Sequence, residues 1–205
     1  KKLTWYELIP IFSFLFLRGR CSNCHAKISP VYPLVELWTA LIFITIPFPF
    51  IPVFCLYIAI TIYDLRHKII PDSLVYATII MSLMFPLLFI HYSLLDWLAG
   101  PILFAFFASI WLLSKGRAMG FGDAKLGLSI GLLLGATLGF SAIILAFWIG
   151  ALYGLTYLAI DRFSSLLRES KKITMKSAIP FAPFLVVGAW LAIILELDLL
   201  HVSSL

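Results

Sequence analysis

Apolar segments of roughly 17 to 20 residues, the length that crosses bilayer hydrocarbon as helix, recur along the sequence between short charged interruptions. We place about seven, running Val31 to Pro47, Pro49 to Arg66, Ser73 to Tyr92, Leu95 to Leu113, Asp123 to Leu138, Phe140 to Ile160 and Ile179 to Leu197. With 62% hydrophobic and 12% charged residues, the 205 positions hold too little polar surface to cover a soluble globule. The expected fold class is all-α: a polytopic membrane protein with a short cytosolic N-terminal segment, residues 1–30, and a transmembrane domain, residues 31–205. The first two spans are one apolar stretch broken by PFPFIP, Pro47 to Pro52, because closely spaced prolines cannot continue a helix. That break reads as a tight hairpin outside the cytosol.

Charge sets the orientation. Of the 15 Lys and Arg, five precede the first span, Arg66 and Lys68 follow the second, Lys115 and Arg117 follow the fourth, Lys125 opens the fifth, and five lie between Asp161 and Ser177. None remains for the opposite side. By the positive-inside rule the N-terminal segment and these loops face the cytoplasm and the C-terminus faces out. The bases flank spans and form no separate basic domain, so a pI of about 9.2 does not point to nucleic acid. The surrounding lipid is the partner that composition implies.

The N-terminal segment holds RGRCSNCHAKIS, a CxxC at Cys21 and Cys24. One such pair supplies half of a tetrahedral zinc site. His25 can add a ligand only against the difficulty of adjacent positions reaching one metal, and Cys55 reads as a small core residue. Tyr6 to Arg20 is apolar but too short to span; it reads as an interfacial helix or as part of a small cytosolic domain.

Two aspartates stand out because ionisable groups within membrane spans are costly and usually functional. Asp64 ends the second span in AITIYDLRHKIIPDS, and Asp123 opens the fifth in MGFGDAKLG. Both spans meet the same face, so both carboxylates are expected at one depth. Facing aspartates suit a dyad that shares a proton, one carboxylate activating water while the other donates to a scissile carbonyl. Asp123 can equally cap the fifth helix, and Asp64 can pair with Arg66 or Lys68. Asp72, in IPDS, suits a turn and helix cap. Gly120 and Gly122 permit unusual backbone angles and close approach of another chain. Gly127, Gly131, Gly135 and Gly139 form an i, i+4 series, with Gly150 and Gly154 repeating it, which is the pattern of close helix packing in membranes. The rival reading of the aspartates is a small transporter or proton-coupled channel. It calls for polar residues across the bilayer, and the outward halves offer only His91, Asp96, Glu196 and Asp198.

With YDLRHKIIPD closing one span and GFGDAKLG opening another, the chain resembles the bacterial type IV prepilin peptidases, polytopic GxGD aspartic proteases. RGRCSNCHAKIS, YPLVELWTALIF and IPFAPFLVVGAW resemble further segments of that family, in order, over nearly the whole chain. The resemblance implies Asp64 and Asp123 as the catalytic pair and Gly120 and Gly122 as the GxGD glycines. It implies a multi-pass protein of the bacterial inner membrane that cuts the basic leader of type IV prepilins or pseudopilins on the cytoplasmic side, after a glycine, with no cofactor for proteolysis. A basic leader calls for nearby acids, and Glu7, Glu36 and Asp72 are available; Glu36, Asp72 and Lys125 are expected to support the site or bind substrate. Bifunctional members usually carry two CxxC pairs and a further N-terminal helix. This chain has one pair, half of a zinc site, begins without methionine and starts after the place of that helix; two readings stay open, a truncated chain whose cytosolic part is incomplete and a peptidase of natural extent without methylation. S-adenosylmethionine is implied only if N-methylation is also present.

Overall fold

The computed structural model describes residues 4–9, 11–89, 92–117, 119–167 and 180–199, with backbone alone at 6, 7, 89 and 161–167. The side chain of Glu7, His91, and the basic segment from residue 168 to Ser177 therefore lie outside the described residues. Among those described, the chain is helical, with one antiparallel bridge pair, Arg20 with Lys27. A 3-10 turn, Trp5–Leu8, precedes α1 (Phe12–Phe16), α2 (Val31–Thr45), α3 (Ile51–His67), α4 (Asp72–Phe89), α5 (Leu94–Leu113), α6 (Phe121–Leu167) and α7 (Ala182–Ile194). Helix lies within every apolar segment marked by the sequence. Three stretches are long and apolar enough to cross a membrane: Phe48–His67, Leu94–Leu113 and Phe121–Ile160. The others are shorter; the 13 residues of α7 rise only about 20 Å, so helix length alone does not give seven crossings.

The chain divides into two compact units, Lys1–Ile51 and Pro52–Leu205. In the first, the stretch from Tyr6 to Arg20 is not a single interfacial helix. It is split at Ile11, whose φ is 63°, and the Glu36 carboxylate on α2 accepts the Ile11 N–H at 2.9 Å. The CxxC lies in a tight hairpin: the Cys21 N–H donates to the Ala26 carbonyl (2.9 Å), His25 to Cys21 (3.0 Å) and Ile28 to Gly19 (2.8 Å). After α2 the backbone turns extended at Ile46, and Pro47 leads into a 3-10 turn at Phe48–Phe50, so the proline break falls where expected.

In the second unit α6 is 47 residues long but its backbone is interrupted at Gly135, with φ 71° and ψ −168°. A Cβ placed on Gly139 would stand 3.4 Å from the Gly131 Cα. Residues eight apart on a straight helix are about 12 Å apart, so α6 folds back on itself and consists of two limbs. The reversal comes a few residues before the expected boundary between the fifth and sixth spans. Breaking a helix in lipid exposes backbone groups that water cannot satisfy. Here the Tyr92 hydroxyl donates to the Leu133 carbonyl (2.6 Å), and the Asp96 carboxylate accepts the Ala136 N–H (2.9 Å). Asp96 also completes a capping box with Ser93 at the start of α5.

The glycine series is thus not one packing stripe. A Cβ on Gly131 would come 2.7 Å from the Gly100 Cα, so bare backbones of α5 and α6 meet there, whereas Gly135 makes the turn and a Cβ on Gly154 would enter open space. Gly188 of α7 lies against the Ala142 carbonyl in the same bare manner. Phe54 and Tyr57 of α3, Phe107 of α5, Leu126, Ile130 and Leu133 of α6 and Leu185 of α7 are fully buried. Leu87, Leu112 and Trp148 are exposed, as suits a lipid-facing surface. A buried hydroxyl network joins three helices: Ser129 of α6 meets Tyr57 of α3 and Ser82 of α4, each at 2.9 Å.

Candidate active site

Asp64 lies in the last turn of α3, where 5% of its surface is exposed. Its Oδ2 accepts the N–H of Ala182 at 3.3 Å. Ala182 is the first residue of α7, and the first N–H groups of a helix lack partners within it, so they are free to hold a carboxylate. Asp123 is the third residue of α6 and equally buried, at 6% exposure. Its Oδ2 accepts the Gly120 N–H at 3.2 Å, the half of a capping box in which the side chain reaches back to the residue before the helix. Capping and a place in the cleft are therefore compatible for Asp123. The alternative pairing of Asp64 with Arg66 or Lys68 is not found; among the described residues the ion pair is Lys125 with Asp72, at 2.6 Å.

Asp64 and Asp123 come to one site from separate helices. Both line a cleft of about 540 Å³, and so do Asp72, Gly120, Gly122 and Lys125. Six of the residues singled out in the sequence thus converge from the ends of α3, α4 and α6. Asp72 opens α4, and its partner Lys125 lies 3.4 Å from the Tyr76 hydroxyl and over the rings of Tyr76 and Phe121, 5.0 and 5.5 Å from their centroids. The remaining cleft wall comes from the α3–α4 linker at Lys68 to Ile70, from Gly116, Arg117, Met119 and Phe121 around the start of α6, and from Pro180 and Phe181 before α7.

The expected backbone role of the two glycines needs correction. Neither Gly120 nor Gly122 has a positive φ. Gly122 serves close approach instead: a Cβ there would stand 2.8 Å from the Ile70 Cβ, well inside contact distance. A Cβ on Gly120 would meet the Asp123 carboxylate at an ordinary 3.6 Å.

Glu36 and Cys21 belong to the first unit. They line a smaller cavity of about 180 Å³ within the first unit. Cys21 is half-buried and Cys24 exposed, and no cluster of three or more His, Cys, Asp or Glu side chains occurs among the described residues. The two thiols alone are half of the donor set that a structural zinc takes, and the described residues do not complete it. Cys55 is half-buried within α3.

The residue that sequence reading missed is Ala182. It contributes a main-chain donor 118 positions from Asp64, and a backbone N–H leaves no mark in side-chain chemistry. The Pro at the start of α7, which could have announced a helix N-terminus, was the available signal.

Two family models match the chain: that of the bacterial peptidase A24 N-terminal domain over residues 1–50, and that of the type IV leader peptidase family over residues 50–155. Among curated proteins, a prepilin leader peptidase/N-methyltransferase of Aeromonas hydrophila is 33% identical over 206 residues, covering 94% of this chain and 68% of that protein. One of Bacillus subtilis (strain 168) is 32% identical over 205 residues, covering 94% and 77%. No solved structure matches the chain significantly.

Proposed function

The chain belongs to the type IV leader peptidase family and is a membrane protease; from that premise we propose that Asp64 and Asp123 form an aspartic dyad that cuts the basic leader of type IV prepilins or pseudopilins at the cytoplasmic face of the bacterial inner membrane. The observation that carries this reading is the convergence of two buried carboxylates from separate helices on one cleft, each held through a single oxygen by a backbone N–H. Such anchoring fixes orientation while leaving the second oxygen of each group for chemistry.

In the proposed reaction one carboxylate takes a proton from water as the water oxygen bonds to the scissile carbonyl carbon. The other carboxyl group gives its proton to the carbonyl oxygen. The tetrahedral diol then collapses: the first carboxyl group passes the proton it took from water to the leaving nitrogen as the C–N bond breaks, and the second carboxylate recovers a proton from a diol hydroxyl as the new C=O forms. No acyl-enzyme forms, and hydrolysis needs no metal at the dyad. Asp72, exposed at the cleft beside Lys125, is the acid available to a basic leader. N-methylation belongs to the names of the relatives and is no step of this reaction. The proposed topology has about seven crossings, with residues 1–30 cytosolic and the dyad near the cytoplasmic surface; the distribution of Lys and Arg supports it. A transporter reading of the same aspartates gains nothing from the relatives, which are named as peptidases.

The test is cleavage of a purified prepilin by the chain in liposomes, beside Asp64→Ala and Asp123→Ala variants shown by melting to be folded. The parent is expected to cut, and each variant to fall by about a thousand-fold or more, since residues acting as a unit fail together. Full activity in either variant would remove the dyad from the mechanism.

A further inference from the structure

Within Pro52–Leu205, two buried side-chain oxygens among the described residues have no hydrogen-bond partner: Asp123 Oδ1 and Thr61 Oγ1. Buried polar atoms are nearly always paired, so each calls for an explanation. Asp123 Oδ1 is the oxygen left over when Gly120 holds Oδ2. Thr61 is the stranger case, being 1% exposed. A helical threonine ordinarily donates to a carbonyl one turn back, as Thr39 does to Val35 (2.8 Å) and Thr78 to Val75 (2.7 Å). Thr61 makes no such bond.

Its position narrows the explanation. Tyr57, Thr61 and Asp64 are spaced by four and three residues, so they form one stripe along α3. The deep end of that stripe is bonded to α6 through Tyr57 and Ser129, and at the shallow end Asp64 shares the cleft with Asp123 of α6 while accepting the Ala182 N–H of α7. Thr61 therefore lies on the face of α3 turned toward its seam with α6 and the start of α7, about one helical turn beneath Asp64 and below the residues that line the cleft. The seam carries an unused donor and acceptor from the threonine and an unused acceptor from the aspartate. A water molecule is the smallest group that satisfies both.

We infer that Thr61 is a positioning residue: its hydroxyl and Asp123 Oδ1 together hold the water that attacks the scissile carbonyl, from the closed side of the cleft. This inference rests on the proposed dyad. It adds the source of the water's orientation, which two carboxylates alone do not determine.

The experiment compares the parent with Thr61→Val, which keeps the shape and removes the hydroxyl, and Thr61→Ser, which keeps the hydroxyl. Each is placed in liposomes and measured for melting, for prepilin cleavage, and for the infrared carboxyl band that Asp123→Asn abolishes. Thr61→Val is expected to lower kcat about ten- to hundred-fold with KM unchanged, to shift the Asp123 band, and to melt no lower than the parent. Thr61→Ser is expected to restore most of the rate and the band. Cleavage by Thr61→Val at the parent's rate overturns the inference, as does an equal loss in Thr61→Ser. If the parent itself cuts no prepilin, the proposed function fails instead, and the band still decides: a shift in Thr61→Val alone sustains the shared water, and an unmoved band overturns it.

Discussion

Gly122 shows how little space separates the catalytic helix from its neighbour. Its missing Cβ would overlap Ile70, which sits in the linker between α3 and α4, so Gly122→Ala must push that linker away from Asp123. Overpacking of this kind costs about 1–3 kcal/mol, and a displacement of roughly 1 Å at a reacting group can cost a hundred-fold in rate. We expect Gly122→Ala to lose about ten-fold or more in prepilin cleavage, and Gly122→Ala with Ile70→Gly to recover part of it, because the second change removes the atom that is struck. Failure of the pair to recover would mean that Gly122 acts through something other than space. At this scale the sequence was informative where chemistry resides in side chains. Asp64 and Asp123 declare themselves as charges in apolar helices. The donors that hold them do not, since the N–H groups of Gly120 and Ala182 are present at almost every position in any chain. A carboxylate such as Glu36 suits a cap as well as a cleft on sequence alone, and within the first unit it accepts the Ile11 N–H.

The element that repays attention is α6. Its reversal at Gly135 leaves a carbonyl at Leu133 and an N–H at Ala136 without helical partners, and Tyr92 and Asp96 supply them from the start of α5. Removing a cap of this type costs about 0.5–2 kcal/mol, and the alternative partner, water, is scarce at that depth. Asp96→Ala should therefore lower the melting temperature, with Asp96→Asn milder because an amide oxygen can still accept the Ala136 N–H. An unchanged melting curve for Asp96→Ala would show that the reversal is held by packing alone. The existence of two limbs was legible in the sequence from the combined length of the apolar run. The position of the turn was not, because the evenly spaced glycines suggested one continuous stripe. Spacing gives the face of an assumed helix; it cannot report that one member of the series leaves the helix altogether. The N-terminal segment shows a similar limit: apolarity from Tyr6 to Arg20 suits an interfacial helix or part of a small domain alike, and its helix is in two pieces that meet at Ile11, where φ is positive.

For the molecule as a whole, the family and the all-helical architecture follow from patterns that extend over many residues, whereas the direction of insertion rests on charge alone. Replacing Cys21, Cys24 and Cys55 by serine and introducing Arg117→Cys gives a thiol in the α5–α6 connection, beside the cleft. A membrane-impermeant thiol reagent should label it in inverted inner-membrane vesicles and not in right-side-out ones. The opposite pattern would turn the proposed topology over, and with it the cytoplasmic cut. Close backbone contact holds this bundle together: Gly100 against Gly131, and Gly188 against Ala142, bring α5, α6 and α7 together with no side chain between. The hydroxyls of Tyr57, Ser82 and Ser129 fasten α3, α4 and α6 at another point. That knot has an evolutionary consequence. Replacing Ser129 alone takes away the partner that two buried hydroxyls share, while an all-apolar seam built at the three positions together leaves none unpaired. Descendants of this protein are thus expected to keep the three hydroxyl positions or to exchange them as a set, with lineages that changed only Ser129 lost along the way.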